Sequence, residues 1–116
     1  MTETGQNISI YQGDYRKLVI PIYQEDEITL QPLTDVAYVT WVVYKPTPGT
    51  IYLTKNLASG IALDPTGIIT ITINTIDTLN LLGNYSHECE IVDTNFHRIT
   101  VLTGYFNVIK SKANYV

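Results

Sequence analysis

The sequence is short of the features that define several large classes of protein. Cys89 is its single cysteine, so an internal disulfide and a multi-cysteine zinc site are excluded. No apolar run approaches the roughly 18 residues of a membrane-spanning helix. The first residues are polar and acidic and lack the basic-then-apolar order of a signal peptide. We therefore expect a chain that is made in a cytoplasm and stays there or is built into a particle.

Positive charge is also scarce. Lys and Arg number 7 against 11 Asp and Glu, which gives a net charge of −4, and the basic residues form no cluster. Nucleic-acid binding needs a face that neutralises phosphates, so nucleic acid is not an expected partner, and neither is a membrane.

Motifs for common catalytic chemistry are missing. The sequence has no Gly-x-Ser-x-Gly, phosphate-loop or dinucleotide-binding pattern. The remaining candidates for acid–base or metal chemistry are His87, His97, Glu88, Glu90 and Asp93. If Thr94 and Asn95 form a hairpin turn, His87 lies opposite Leu102 and His97 opposite Val92. The histidines are then about 16 Å apart at roughly 3.3 Å per residue, and both glutamates point away from His87. We expect no catalytic residue, no metal site and no cofactor, hence no enzyme.

Two other groups of residues are interpreted as structural and not as chemical sites. Glu25, Asp26 and Glu27 offer the carboxylates that calcium prefers, but they lack the spacing of a calcium loop, so a solvated loop tip is expected. Cys89 lies in an alternating strand, where a thiol usually packs and does not react.

What the sequence does contain favours β-structure. Ile, Val, Thr and Tyr supply 49 of the 116 residues, and these β-branched and aromatic side chains suit a pleated surface. The length indicates one domain over residues 1–116, with tails at 1–6 and 111–116. Alternation of apolar and polar residues predicts seven or eight strands, at 7–11, 18–22, 36–45, 50–55, 61–63, 69–73, 85–92 and 97–109.

Particular residues refine this pattern. Pro21 cannot donate a ladder hydrogen bond and predicts an edge strand or a bulge, while Gly104 predicts a bulge or a close approach within the last strand. Ile51 and Leu53 are expected to point inward. Residues 77–83 are expected to form one helical turn, capped by Asp77 or Thr78 and ended by Gly83.

The fold predicted is an immunoglobulin-like antiparallel β-sandwich. Trp41 lies in mid-strand between Val39 and Val43, the position of the packing tryptophan in such a core. Tyr85 stands at a strand start after a short turn, as a tyrosine corner does, with its hydroxyl bonded to nearby backbone. Trp41, Tyr85, Ile71 and Phe106 are the residues predicted to specify the fold.

The nine tyrosines exceed what a core can hold, because buried hydroxyls need partners. Tyrosine is enriched at protein interfaces. We therefore predict a contact face for self-association or docking, formed by Tyr38, Val42, Tyr44 and Tyr52. The alternative is a monomer whose own termini cover its sheet edges.

The order of motifs resembles a known family. The matching pieces are Tyr11-Gln12-Gly13-Asp14, the Trp41 strand, Asp64 with Thr66-Gly67, Gly83-Asn84-Tyr85-Ser86-His87-Glu88 and Thr103-Gly104-Tyr105-Phe106-Asn107-Val108. Across residues 8–109 the chain resembles the immunoglobulin-like module of tailed-bacteriophage virion proteins, similar to the N-terminal domain of baseplate upper proteins.

The resemblance implies a virion structural protein that docks other virion proteins, in several symmetric copies or as a homo-oligomer, with no catalytic residue to carry over. Baseplate upper proteins continue into a long further region that is not found here, which suggests an accessory of the tail, neck or baseplate. A capsid decoration protein is one alternative. The other is a carbohydrate- or receptor-binding module for host-surface glycan, with Tyr44 and Tyr52 beside the loop of residues 46–49.

Overall fold

The computed structural model describes residues 6–111. Along this part of the chain eight strands and one short helix follow one another. They are β1 (Ile8–Tyr11), β2 (Arg16–Pro21), β3 (Val36–Tyr44), β4 (Ile51–Asn56), β5 (Ile61–Asp64), β6 (Ile68–Ile73), α1 (Thr75–Thr78), β7 (Gly83–Asp93) and β8 (Arg98–Ile109). Of the tails predicted at 1–6 and 111–116, residues 1–5 and 112–116 lie outside the described residues.

The strands form two sheets, as the alternating pattern predicts. One sheet has five strands in the order β1-β8-β7-β3-β4, and the other has three in the order β2-β6-β5. β1 runs parallel to β8, whereas the other neighbouring strands are antiparallel. The prediction of an all-β sandwich is confirmed.

The core between the sheets is made by the strand positions that alternation marked as inward. Trp41, Ile71 and Phe106 are fully buried, and Tyr85 is 6% exposed. Burying a large apolar side chain contributes about 1.5–3 kcal/mol, so this set supplies much of the driving force for folding. All four residues predicted to specify the fold lie in the core.

β2 is an edge strand, as Pro21 predicted. Within residues 6–111 it pairs with β6 alone, at one edge of the three-stranded sheet, and Pro21 is its last residue. At the end of an edge strand the missing N–H of proline costs no ladder bond.

The inward face of β4 differs from the prediction. Ile51 is 58% exposed and Leu53 is half-buried, whereas Lys55 is 7% exposed. The register with β3 shifts between Val43 and Tyr44, which turns Ile51 outward. Lys55 is buried because its Nζ lies 2.7 Å from the carboxylate of Asp77. A buried charge is tolerated when it is paired in this way.

The helical turn begins earlier than predicted. α1 spans Thr75–Thr78 with Asn74 as its N-cap, and Gly83 opens β7 with φ 103°. Asp77 does not cap as the first residue. Its carboxylate accepts the backbone N–H of Asn74 at 2.7 Å from inside the first turn. This is the acidic half of a capping box, and the predicted cap lay three or four residues too late in the chain.

The β7–β8 register also differs from the prediction. Val92 pairs with Arg98 instead of His97, and His87 pairs with Gly104 instead of Leu102. Two features cause the shift. The Asp93 carboxylate accepts the N–H groups of Asn95 and His97 and so lengthens the turn, and a bulge follows between Cys89 and Glu90.

Gly104 marks a close approach, as predicted. A Cβ placed there would collide with the backbone of Gln6. Gln6 itself donates its N–H to the carbonyl of Thr103 at 3.1 Å. The tail predicted for residues 1–6 therefore includes one residue that is bonded to the sandwich.

Candidate interaction surface

The histidines predicted as site candidates occupy unlike environments. His87 is 1% exposed and its ring contacts those of Trp41 and Phe106. Its Nδ1 accepts the indole N–H of Trp41 at 3.0 Å, and its Nε2 lies 2.6 Å from the carbonyl oxygen of Gln6. Burial lowers the pKa of His87, with the Gln6 carbonyl acting in the opposite direction. This histidine is a neutral hydrogen-bonding member of the core.

His97 is exposed at the β7–β8 turn. Its Nδ1 lies 3.2 Å from a carboxylate oxygen of Asp93, whose pKa is lowered chiefly by the hydrogen bond from the His97 backbone. Glu88 and Glu90 are half-buried, and Glu90 forms an ion pair with Arg98 at 3.1 Å. The structure does not bring the five candidates together. Across residues 6–111 no three His, Cys, Asp or Glu side chains are grouped to hold a metal ion.

The remaining candidate groups have local roles. The Asp26 carboxylate accepts hydrogen bonds from the Thr29 hydroxyl and from the backbone of Ile28 and Thr29, and these lower its pKa. It thus organises the loop tip. Burial, assisted by Glu90, raises the pKa of the Cys89 thiol to about 12, so thiolate chemistry is suppressed.

Tyr85 forms the predicted corner. Its hydroxyl donates to the carbonyl of Leu82 at 3.3 Å and lies 3.1 Å from the Leu82 nitrogen, whose N–H it accepts. Lys45 Nζ lies 5.0 Å from the centre of the Tyr85 ring. The Tyr52 ring contacts the Tyr85 ring edge-on, with 5.2 Å between the ring centres. Tyr52, predicted as an interface residue, is therefore 45% exposed but engaged with Tyr85.

The other predicted interface residues share the outer face, which we define as the surface of β3, β7 and β8 turned away from the three-stranded sheet. Tyr38 is 61% exposed, while Val42 and Tyr44 are half-buried. Burial, and secondarily the charge of Glu88, raises the pKa of Tyr44.

Tyr105 belongs to the same outer face and was missed as an interface residue. It pairs with Ser86, which pairs with Tyr44 on its other side, so the two tyrosines flank one serine in a row across three strands. Neighbouring strands are about 4.8 Å apart, which places the two residues roughly 10 Å apart. Tyr105 is 64% exposed. Tyr105 is one of the tyrosines that exceed what a core can hold, and its alternation with Phe106 was the signal that could have placed it on this face.

A cavity of about 280 Å³ opens at one end of the sandwich. Apolar side chains supply most of its lining, and Asp35 and Asp93 also line it. Nothing in the sequence indicates this cavity, because it depends on where the β2–β3 segment crosses the ends of β7 and β8.

Comparisons with known proteins identify the fold. No family model matches the sequence, and no curated protein matches it. A solved structure of murine CRIg matches with a TM-score of 0.51 at 12% identity, covering 97% of this chain and 98% of that one. CopC from Methylosinus trichosporium OB3b has a TM-score of 0.43 at 14% identity, covering 74% of this chain and 78% of that one. The structure of Drosophila OTK extracellular domains 3–5 has a TM-score of 0.35 at 17% identity, covering 90% of this chain and 32% of that one.

The chain therefore has an immunoglobulin-like β-sandwich fold, as predicted. Identities this low establish the fold alone. Among the described residues, no helix has the length and hydropathy needed to cross a membrane.

Proposed function

We propose that this chain is a bacteriophage virion structural protein, an assembly or adaptor module that docks other particle proteins through its outer face. The observation that carries the docking role is the exposure of Tyr38 and Tyr105 on a sheet surface left uncovered by the second sheet. Tyrosine brings a large rigid contact area at low entropic cost and a hydroxyl for the rim.

The arrangement of the outer face supports a broad, flat contact. Tyr44 and Tyr105 lie in one cross-strand row, and Val42 lies in the next row beside Glu88. Strands of a sheet hold such side chains in fixed positions, so little ordering is needed on binding. The half-buried glutamates of β7 would favour a partner with polar or cationic groups between its apolar contacts.

The proposal that the chain is a virion protein rests on the resemblance described above. That resemblance is carried by the Gly-x-Tyr-x-His-Glu and Thr-Gly-x-Phe-x-Val segments of β7 and β8. Tyr85, His87 and Phe106 in these segments are core residues. They specify the sandwich, and the exposed residues between them are available for contact. The proposal includes no catalytic step.

A mass-spectrometric inventory of purified particles, with copy numbers, tests whether this chain is a virion protein. We expect this chain in the particle at a copy number that matches a rotational symmetry of the tail, neck or baseplate. Tail-less heads that retain the chain would favour the capsid decoration alternative. Absence from intact particles would overturn the virion proposal.

Docking is tested separately by affinity capture of particle proteins with the double variant Tyr38→Ser, Tyr105→Ser. We expect capture to fall by at least about tenfold if these residues are interface hot spots. Val19→Ser is the matched control, because Val19 is 62% exposed on β2 in the other sheet. Equal capture by the double variant and the control would overturn the role of the outer face. Binding in a glycan array that is lost in Tyr44→Ala would favour the carbohydrate-binding alternative.

A further inference from the structure

The two ends of the sandwich differ in charge. One end is formed by the β2–β3 segment and by the β5–β6 and β7–β8 turns. Backbone hydrogen bonds join these segments: Leu33 to Pro65 at 2.9 Å, Ile22 to Gly67 at 2.8 Å and Thr94 to Asp35 at 2.9 Å. We call this the carboxylate end.

Six carboxylates lie at or beside that end. They are Glu25, Asp26, Glu27, Asp35, Asp64 and Asp93. Hydrogen bonds from neighbouring backbone and hydroxyl groups lower the pKa of three of them, Asp26, Asp64 and Asp93, so these remain ionised at neutral pH. Arg98, at the start of β8, is paired with Glu90, and His97 Nδ1 lies 3.2 Å from the Asp93 carboxylate.

Among the described residues, the hydrophobic core is open at the carboxylate end. The cavity described above is lined by Ile22, Leu33, Val36, Ile91 and Val101, and Ile99 at its mouth is 48% exposed. Phe96 and Ile28 stand nearby on the loops of the same end, at 79% and 82% exposure. An apolar opening rimmed by carboxylates suits a ligand surface that combines apolar side chains with cations.

The opposite end has the complementary composition. It is formed by the β1–β2 and β3–β4 connections, the segment between β6 and β7, and the end of β8. Its basic residues are Arg16, Lys17, Lys45 and Lys110, against Asp14. Asp77 in this end is already paired with Lys55. We call it the cationic end.

The cationic end also exposes aliphatic side chains around α1. Ile76 is 74% exposed, Leu82 52% and Leu79 38%. The segment that carries them is fixed to the sandwich, because Gly13 donates its N–H to Thr78 Oγ1 at 2.9 Å and Gln12 Nε2 donates to the Leu79 carbonyl at 2.9 Å. These side chains therefore project from a segment whose position is fixed by hydrogen bonds to the β1–β2 connection.

We propose that copies of this chain associate head to tail, with the cationic end of one copy seated on the carboxylate end of the next. Ile76, Leu79 and Leu82 would cover the open cavity, and the basic residues around them would face the carboxylates of its rim. The inference is independent of the docking role proposed for the outer face, since it uses different surfaces. A contact between two unlike patches is heterologous, so it produces a ring if it closes and a filament if it does not.

Sedimentation velocity of the full chain over a range of concentrations is the first test. We expect the mean mass to rise with concentration through successive multiples of 13.0 kDa. Raising NaCl from about 0.1 M to about 1 M shortens the Debye length from roughly 10 Å to 3 Å, so the association constant should fall. A chain that stays monomeric at millimolar concentration, or an assembly that strengthens with salt, would overturn the proposal.

Two blocked variants give the sharper test. Ile99→Lys places a cation at the mouth of the cavity, and Ile76→Glu places a carboxylate on the cationic end. Both positions are exposed, so folding should be preserved, and thermal unfolding verifies it. Each variant alone should be monomeric. Mixed together they should associate, because the intact cationic end of Ile99→Lys can seat on the intact carboxylate end of Ile76→Glu.

Controls separate this result from other modes of association. Val19→Lys and Val19→Glu introduce the same charges at an exposed position outside both ends and should associate as the unmodified chain does. The outer-face double variant Tyr38→Ser, Tyr105→Ser should also self-associate normally while losing its docking partners. A symmetric dimer that either blocked variant forms on its own, or a mixture that stays monomeric, would overturn head-to-tail association.

Discussion

Trp41 donates its indole N–H to Nδ1 of His87 across the β3–β7 pair, at 3.0 Å. This bond fixes the tautomer of the histidine, because Nδ1 must then be unprotonated and Nε2 carries the proton that it donates to the Gln6 carbonyl. The chain before β1 is thereby tied to the centre of the core through a side chain of β7.

Replacing His87 with leucine should destabilise the protein. The buried indole N–H of Trp41 would lose its acceptor, and an unsatisfied buried polar group costs about 1–3 kcal/mol. Urea denaturation followed by tryptophan fluorescence measures the change in the free energy of unfolding. His97→Leu is the matched control, because His97 is exposed, and its effect should remain within about 0.5 kcal/mol. Equal effects at both positions would contradict the assigned role of His87.

Stability should decrease as the pH falls below about 6.5. Burial between Trp41 and Phe106 lowers the pKa of His87 from its ordinary value of 6.5, so the unfolded chain binds this proton at a higher pH than the folded protein does. The stability that neutral His87 contributes is fully present above about pH 6.5. It is lost on acidification, by at most about 1.4 kcal/mol per pH unit for one proton. Urea midpoints between pH 7 and pH 5 measure it. In His87→Leu this dependence should flatten, and an unchanged slope would assign it to another group.

Gly104→Ala should release Gln6 from β8. The added Cβ would lie 2.6 Å from the Gln6 carbonyl carbon and 3.0 Å from its nitrogen, so the Gln6 backbone must move away. The bonds of Gln6 to Thr103 and His87 would then weaken, at a cost of about 1–3 kcal/mol. Hydrogen exchange at the Gln6 amide should accelerate. Tyr105→Thr, one residue along β8 but exposed, should leave that amide protected.

Tyr85→Phe should remove the corner bonds to Leu82 while keeping the ring in the core. Loss of a hydroxyl with two backbone partners should lower the free energy of unfolding by about 0.5–1.5 kcal/mol. Tyr105→Phe provides the comparison, since that hydroxyl belongs to an exposed side chain and its removal should be nearly neutral. Thermal or urea unfolding distinguishes the two.

Cys89 should resist alkylation in the folded protein. Its side chain is fully buried and burial raises its pKa to about 12, so little thiolate is present at pH 8. Intact-mass spectrometry after iodoacetamide treatment should show no adduct without denaturant and one adduct in urea. Rapid labelling of the native chain would show that β7 opens locally or that the thiol lies nearer the surface.

The sequence predicted the interior of the sandwich well and its boundaries less well. The alternation through Ile69, Ile71 and Ile73 and the position of Trp41 identified the core because a strand has a period of two, a property of neighbouring residues. Register was wrong wherever a bulge or a longer turn intervened, as between Cys89 and Glu90. One extra residue moves every later side chain to a new partner.

The sequence by itself determined that this chain is a strand-rich sandwich whose core includes Trp41, and that its two histidines lie apart. The tertiary structure decided that Lys55 is buried, because Asp77 meets it from the segment after β6. It also decided that Tyr44 and Tyr105 share one face and that the core opens at the carboxylate end. Those features depend on contacts between distant segments. The alternation of apolar and polar residues along a strand predicts which face a side chain points to, but not which residues it contacts there.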